Sequence, residues 1–442
     1  MDRTTRRRVI ELGKNILIVL LTCSALWLAA RSQLLGPLTG LFQEEGTQTE
    51  AVQTQSGARA DAARPLRLTV NLSGGAGQIR YGIQYDTAAS DALFQQVASL
   101  LVETLSSSGA PETVTRAQWE QAMATAPGVV FDFQGELPMP VLVGWLSGED
   151  TTLTATVRRL VLTVWQETVA LYYRDEETGQ YYRCLSEVAN QSHLEDAVSS
   201  LTDNGAMYAF ESELYENLDP DTLILGTTPV PAVYSASNPM IGGRPALEEL
   251  MADLGISVNA SGFYSTGNEQ VARSGSDSLR LSDRGVAVYE AGGEDGAQFQ
   301  VSTRRGEATL FESVEACRRL AAATVGDRCG QARLYLMSAQ ESEDGLVVRF
   351  GYCLNGSTVQ LEGDCAAHFL VQNGQITQFE LNFRSYTDQG ETSMVMPIRQ
   401  AAAAMEALGL DGEELLLVYG DTGGDTAAAF WAAAGSRLTG ER

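Results

Sequence analysis

Two histidines, six cysteines and a single lysine bound the chemistry open to this chain of 442 residues. His193 stands at the start of a predicted helix and His368 in an alternating strand. Zinc needs several converging nitrogen or sulfur ligands, and a triad needs its histidine beside a nucleophile. Neither an HExxH nor a GxSxG motif occurs, so both read as structural or surface residues. The lysine is Lys14, so no later residue can form a lysine Schiff base. Asp421 and Asp425 flank a glycine-rich turn, yet a helix–loop–helix calcium site would want glycine at Thr426 and glutamate at Ala432. Gly75-Ala76-Gly77 precedes a strand and not a helix, so no helix amino terminus meets a phosphate there. Glu213, Glu216, Asp219 and Asp221 form an acidic run that reads as a solvated face. No catalytic residue, cofactor or metal site is assigned.

Cysteine says more. Cys317, Cys329, Cys353 and Cys365 cluster near the carboxy terminus, while Cys184 stands alone in a strand and Cys23 in an apolar run. Outside the cytoplasm, four clustered cysteines predict disulfides. Their even spacing, eleven residues between the members of each near pair, does not suit a tetrathiolate zinc site. Buried free thiols are the other reading.

The compartment follows from the amino terminus. Residues 1–14 form a basic tail, and residues 15–31 an uncharged run, NILIVLLTCSALWLAA, closed by Arg31. The run is short for a span, but Lys14 and Arg31 can snorkel to the two interfaces. Arginines ahead of it predict a cytoplasmic amino terminus and an extracytoplasmic bulk. Thr22, Ala25 and Ala29 share one helix face, and Ala25-x-x-x-Ala29 is a small-xxx-small pattern suited to close helix packing. A cleaved signal peptide is the rival reading. The formal net charge is −26; residues 1–14 carry +3 and Arg31 +1, which leaves −30 for residues 32–442. A surface so acidic repels phosphate backbones and excludes nucleic acid as a partner.

Residues 32–65 read as a flexible stalk, apolar over Leu34 to Phe42 and polar over residues 43–65. Three α+β regions follow, over residues 66–189, 190–297 and 298–442. The first opens with a hairpin (RLTVNL, then QIRYGIQY), adds helices over Asp91–Ser106 and Thr115–Ala126, and continues as a meander of VRRLVLTVW, TVALYYR and QYYRCLSEV. In the second, Ser192 to Glu195 reads as a capping box, and a helix over Pro245–Leu254 ends at Gly255. SLRLSDRGVAVY then forms a hairpin. The third has helices over residues 309–323 and Ile398–Leu408 with strands between and after them. Asn373-Gly374 marks a two-residue hairpin turn. The expected architecture is twisted antiparallel sheet with helices on one face.

Several of these stretches, TRAQWEQAMATAPGVVFDFQGELP, SLRLSDRGVAVYEAGG, VVRFGYCLNG through FELNFRSY, and the closing ELLLVYGD with AAFWAAAG, make the chain resemble the YycH/YycI family. These are membrane-anchored extracytoplasmic regulators of a two-component sensor kinase of cell-wall homeostasis. The resemblance runs patchily over residues 66–437. It implies a PepSY-like carboxy-terminal part, no catalytic residues and no cofactor. It implies contact with a membrane sensor kinase and a paralogous accessory protein, partly through the membrane helix. The cysteine cluster and the lysine-free acidic ectodomain depart from it. A cell-envelope ligand-binding or chaperone-like module is the alternative, and a hydrolase with an unrecognised site comes last.

Overall fold

The computed structural model describes residues 58–72, 79–256, 261–293, 299–303 and 306–435. The predicted membrane helix with Thr22, Ala25 and Ala29, most of the stalk, and the glycine turn at 74–77 lie outside the described residues. Among the described residues no helix is long and apolar enough to cross a membrane.

The first sheet contains β1 (Arg67–Leu72), β2 (Ile79–Ile83), β3 (Glu112–Val114), β4 (Gly128–Pro138), β5 (Thr156–Trp165), β6 (Thr168–Arg174) and β7 (Tyr181–Asn190). Their order is β2-β1-β4-β5-β6-β7-β3, antiparallel throughout. Helix α1 (Thr87–Ser106) starts where the Asp86 side chain accepts from the Ala89 N–H. Helix α2 (Arg116–Ala124) starts at a reciprocal Thr115–Gln118 capping box. Here the expectation of helices on one face is corrected. Val129, Phe131, Leu160 and Leu162 join the core that α1 contributes to, through Phe94 and Leu101. Val130 and Val161 on the same strands, with Ala170 of β6, join Trp119 and Met123 of α2 in a separate cluster. Successive strand residues point to opposite faces, so helices cover this sheet on both sides. That is why these strands are apolar at nearly every position.

Helix α3 (Met139–Leu146) and α4 (Gln191–Val198) follow β4 and β7. The cap of α4 is Asn190, whose side chain accepts from the His193 N–H, and not Ser192 as its motif suggested. A short ladder then pairs β8 (Met207–Tyr208) with β9 (Leu223–Ile224).

The second sheet draws on both later regions. Its strands are β10 (Ala232–Ser237), β11 (Ser261–Thr266), β12 (Glu269–Ser274), β13 (Asp277–Ser282), β14 (Val286–Glu290), β15 (Phe299–Gln300), β16 (Arg333–Ser342), β17 (Gly345–Leu354), β18 (Ser357–Leu361), β19 (Ala367–Gln372), β20 (Gln375–Asn382), β21 (Ser385–Thr392), β22 (Leu415–Asp421) and β23 (Thr426–Ala433). The path is β11-β12-β13-β14-β20-β19-β17-β18-β22-β23-β10-β21, with β15 on β20 and β16 on β17. Strand β18 pairs with β22 in parallel; the sheet's other ladders are antiparallel. The β19–β20 turn holds Asn373 at φ 51° and Gly374 at φ 73°, the left-handed pair that a two-residue hairpin requires. Helices α5 (Arg244–Asp253), α6 (Leu310–Ala321) and α7 (Ile398–Ala407) complete the fold. Helix α6 opens on a Thr309–Glu312 capping box and widens into a π turn over Ala322–Gly326.

The two sheets meet at a bulge in β4. Asp132 is paired with Arg159 and Leu137 with Val157, so residues 133–136 stand opposite Arg158 alone. The displaced strand lies against β16: a Cβ on Gly135 would collide with the Leu336 carbonyl oxygen. Gln340 of β16 donates to the Glu136 carboxylate at 2.8 Å.

Candidate functional site

The residues singled out by sequence do not converge. His193 is exposed, with Nδ1 3.8 Å from the Glu103 carboxylate. His368 lies on β19 opposite Arg349 of β17 and Glu380 of β20; burial, with Arg349 beside it, lowers its pKa. Among the described residues no group of histidine, cysteine and acidic side chains could hold a metal.

The expected disulfides are not formed: Cys317, Cys329, Cys353 and Cys365 are buried free thiols, as is Cys184. Each sulfur is committed to its own element. Cys317 is on the buried side of α6. Cys329 lies past the π turn, its Sγ 3.0 Å from the Gly326 carbonyl and 3.1 Å from that of Ala332. Cys353 is within β17, and Cys365 precedes β19. Burial pushes the thiols up, Cys329 to about 11 and Cys353 and Cys365 to about 12. They stay protonated at neutral pH and are poor nucleophiles.

Asp421 is not a calcium ligand in waiting. Its carboxylate receives Arg384 Nε at 2.7 Å and Nη2 at 2.9 Å, the Tyr386 hydroxyl at 2.8 Å and the Gly423 N–H at 2.9 Å. Those four donors fill its acceptor positions. Asp221, expected on a solvated acidic face, is also buried. It accepts from Arg116 Nη2 at 2.9 Å and the Trp119 indole at 3.1 Å.

The densest chemistry lies where the two sheets join. Arg67 of β1 reaches Asp132 of β4 at 3.1 Å and Glu414, just ahead of β22, at 2.8 Å. Arg158 and Arg159 of β5 reach Glu414 at 2.6 and 2.7 Å, and Arg159 also meets Asp132 at 2.9 Å. Arg159 continues to Asp221 at 3.7 Å. Neighbours on a strand normally diverge; both arginines reach Glu414 where the β4 bulge interrupts the ladder. Arg67 is 2% exposed and Glu414 4%. Burial alone would raise both carboxyls, but the guanidiniums outweigh it. They hold Asp132 well below the usual carboxylate range and Glu414 at about 2. Groups fixed in one charge state and sealed from solvent do not serve as acid or base. A cavity of about 10 Å³ beside them has room for roughly one water molecule. The cluster is an electrostatic joint between sheets. The arginine pair inside the apolar stretch VRRLVLTVW was the signal that could have found it.

A second buried carboxylate organises the start of the described chain. Glu315 of α6 accepts from Arg59 at 3.0 Å, from Arg318 at 2.7 Å, from Arg319 at 3.0 Å and from the Trp145 indole at 3.0 Å. Arg59 also lies 5.6 Å over the Phe311 ring. Residues 58–64 are thereby clasped to α6, beside a cavity of about 420 Å³. A larger groove of about 820 Å³ runs between the tips of the β16–β17 and β19–β20 hairpins. Among the described residues its charged lining is Glu307, Glu341, Glu343 and Asp344.

No family model and no curated protein matches the chain. Its fold is similar to that in the crystal structure of YycH from Bacillus subtilis. The TM-score is 0.53 at 10% identity, over 85% of this chain and 94% of that one. Identity this low carries the likeness of fold alone.

Proposed function

We propose that this chain is a membrane-anchored accessory protein that adjusts a two-component sensor kinase by contact and performs no catalysis. The observation that supports this most is the extent of the fold likeness, which takes in 85% of the chain and nearly all of the YycH chain. The chemistry of the buried groups agrees: the cysteines are protonated and the deepest carboxylates are locked by arginine. In this reading residues 15–31 cross the bilayer, the folded body lies outside the cytoplasm, and the partners are a sensor kinase and a paralogous accessory protein. Thr22, Ala25 and Ala29 form the helix face that meets them.

Photo-crosslinking in intact cells tests the proposal. A photoreactive residue at Leu26, beside the small-residue face, should capture a sensor kinase. Ala25→Ile with Ala29→Ile should keep the protein in the membrane at normal level while capture and kinase output change. Capture of no kinase from the helix or from the folded body would overturn the reading.

A further inference from the structure

We propose that the cavity walled by residues 58–64 is a binding site for a small amphipathic carboxylate. The proposal goes beyond the contact regulator above and shares with it only the membrane anchor that the test below uses.

The argument begins with shape. The cavity is about 420 Å³ and lies between residues 58–64, the π turn that ends α6, and β16 with β17. Small-molecule sites run from roughly 300 to 1,000 Å³ and are mainly apolar with a few placed polar groups. The lining fits that description. Trp145, Leu336 and Phe350 are buried at its base, and Leu334 is half-buried on its wall. The Trp145 N–H is already taken by Glu315, so the indole has only apolar surface left to offer.

Charge then selects the ligand. Arg64, Arg318 and Arg333 line the cavity. Arg64 and Arg333 share one acid, Asp91, at 2.8 and 2.7 Å, and Arg64 also meets Asp61. Arg318 shares Glu315 with Arg59 and Arg319. Five guanidiniums thus stand against Asp61, Asp91, Glu315 and the lining residue Asp327, which leaves one positive charge over. A local cation surplus is unusual in a chain of net charge −26. A guanidinium that already shares its carboxylate keeps spare N–H donors for a second one. One surplus charge over an apolar base suits a monoanion with an aryl or alkyl body.

Position gives the site a consequence. One wall is the segment through which the chain enters the folded body, held by the Arg59–Glu315 pair. A ligand touching that wall favours the clasped arrangement by its binding free energy.

The test uses the full-length protein in phosphatidylcholine nanodiscs and 4-(trifluoromethyl)benzoate as probe, followed by fluorine NMR against empty nanodiscs. Saturable line broadening is expected. The neutral 4-(trifluoromethyl)benzyl alcohol should bind roughly tenfold more weakly, because it lacks the charge-assisted hydrogen bond. Arg333→Gln changes a half-exposed side chain, so the fold should survive. It should weaken the benzoate roughly tenfold and leave the alcohol unaffected. Leu334→Trp fills the cavity and should abolish binding of both. No broadening beyond empty nanodiscs, equal binding of acid and alcohol, or wild-type binding by Arg333→Gln and Leu334→Trp would each overturn the proposal.

Discussion

The joint between the sheets and the core of the second sheet are both buried, yet they are held by opposite means. In the second sheet Tyr289, Phe299, Phe369 and Phe379 pack ring against ring, with centroids 4.9 to 6.0 Å apart. Such contacts are non-directional in the main and tolerate volume-conserving change. At the joint, Arg67, Arg158 and Arg159 meet Asp132 and Glu414 through short directed contacts. A buried ion pair adds little net stability over an apolar replacement, but losing one partner strands a charge. The aromatic core supplies bulk stability. The charged joint fixes which residue of one sheet faces which residue of the other.

The contrast can be broken most severely at Glu414. Glu414→Ala leaves Arg67, Arg158 and Arg159 crowded on Asp132 with one carboxylate too few and should cost about 4 kcal/mol, the usual range for a halved buried pair. Urea unfolding measures it; a loss below 1 kcal/mol would show that the joint is solvated. Acid gives the next largest effect. Because the folded-state pKa of Glu414 is depressed to about 2 from 4.5, its contribution is complete above the unfolded value. It is lost as pH falls from about 4.5 towards 2, and amounts to about 3 kcal/mol. Asp221 works in the other direction: burial raises its pKa despite Arg159 and Arg116, so acid relieves a cost there. Unfolding curves between pH 5 and pH 2 should therefore flatten in Glu414→Gln. The smallest effect belongs to the aromatic side. Phe379→Leu should cost about 1 kcal/mol and leave the acid limb unchanged; an altered acid limb would tie the two regions together.

Local signals carried much of the fold. Asn373-Gly374, Thr115 with Gln118, and Thr309 with Glu312 mark a turn and two helix starts because each uses only its own neighbours. Strand β21 was illegible: Ser385–Thr392 is polar and largely exposed, so it has no apolar alternation to read. Strand β18 is short and pairs with β22, its partners 60 residues further along the chain. The charged joint failed for the same reason, since Arg67 and Glu414 are 347 residues apart in sequence. The cysteine cluster misled because nearness in sequence says nothing about which way each sulfur points.

The placement of β1 has a mechanical meaning. Whatever tension the preceding chain transmits enters the body through residues 58–66, where the Leu66 N–H is bonded to the Asp132 carbonyl. It arrives at a strand bonded on both sides, to β2 and to β4. A load along such a strand must shear two ladders of hydrogen bonds at once, whereas an edge strand such as β21 can unzip one bond at a time. The Arg59–Glu315 pair would therefore yield first, as a fuse ahead of a stiff anchor. Under load the molecule would release its first few residues from α6 long before it gave up its sheet.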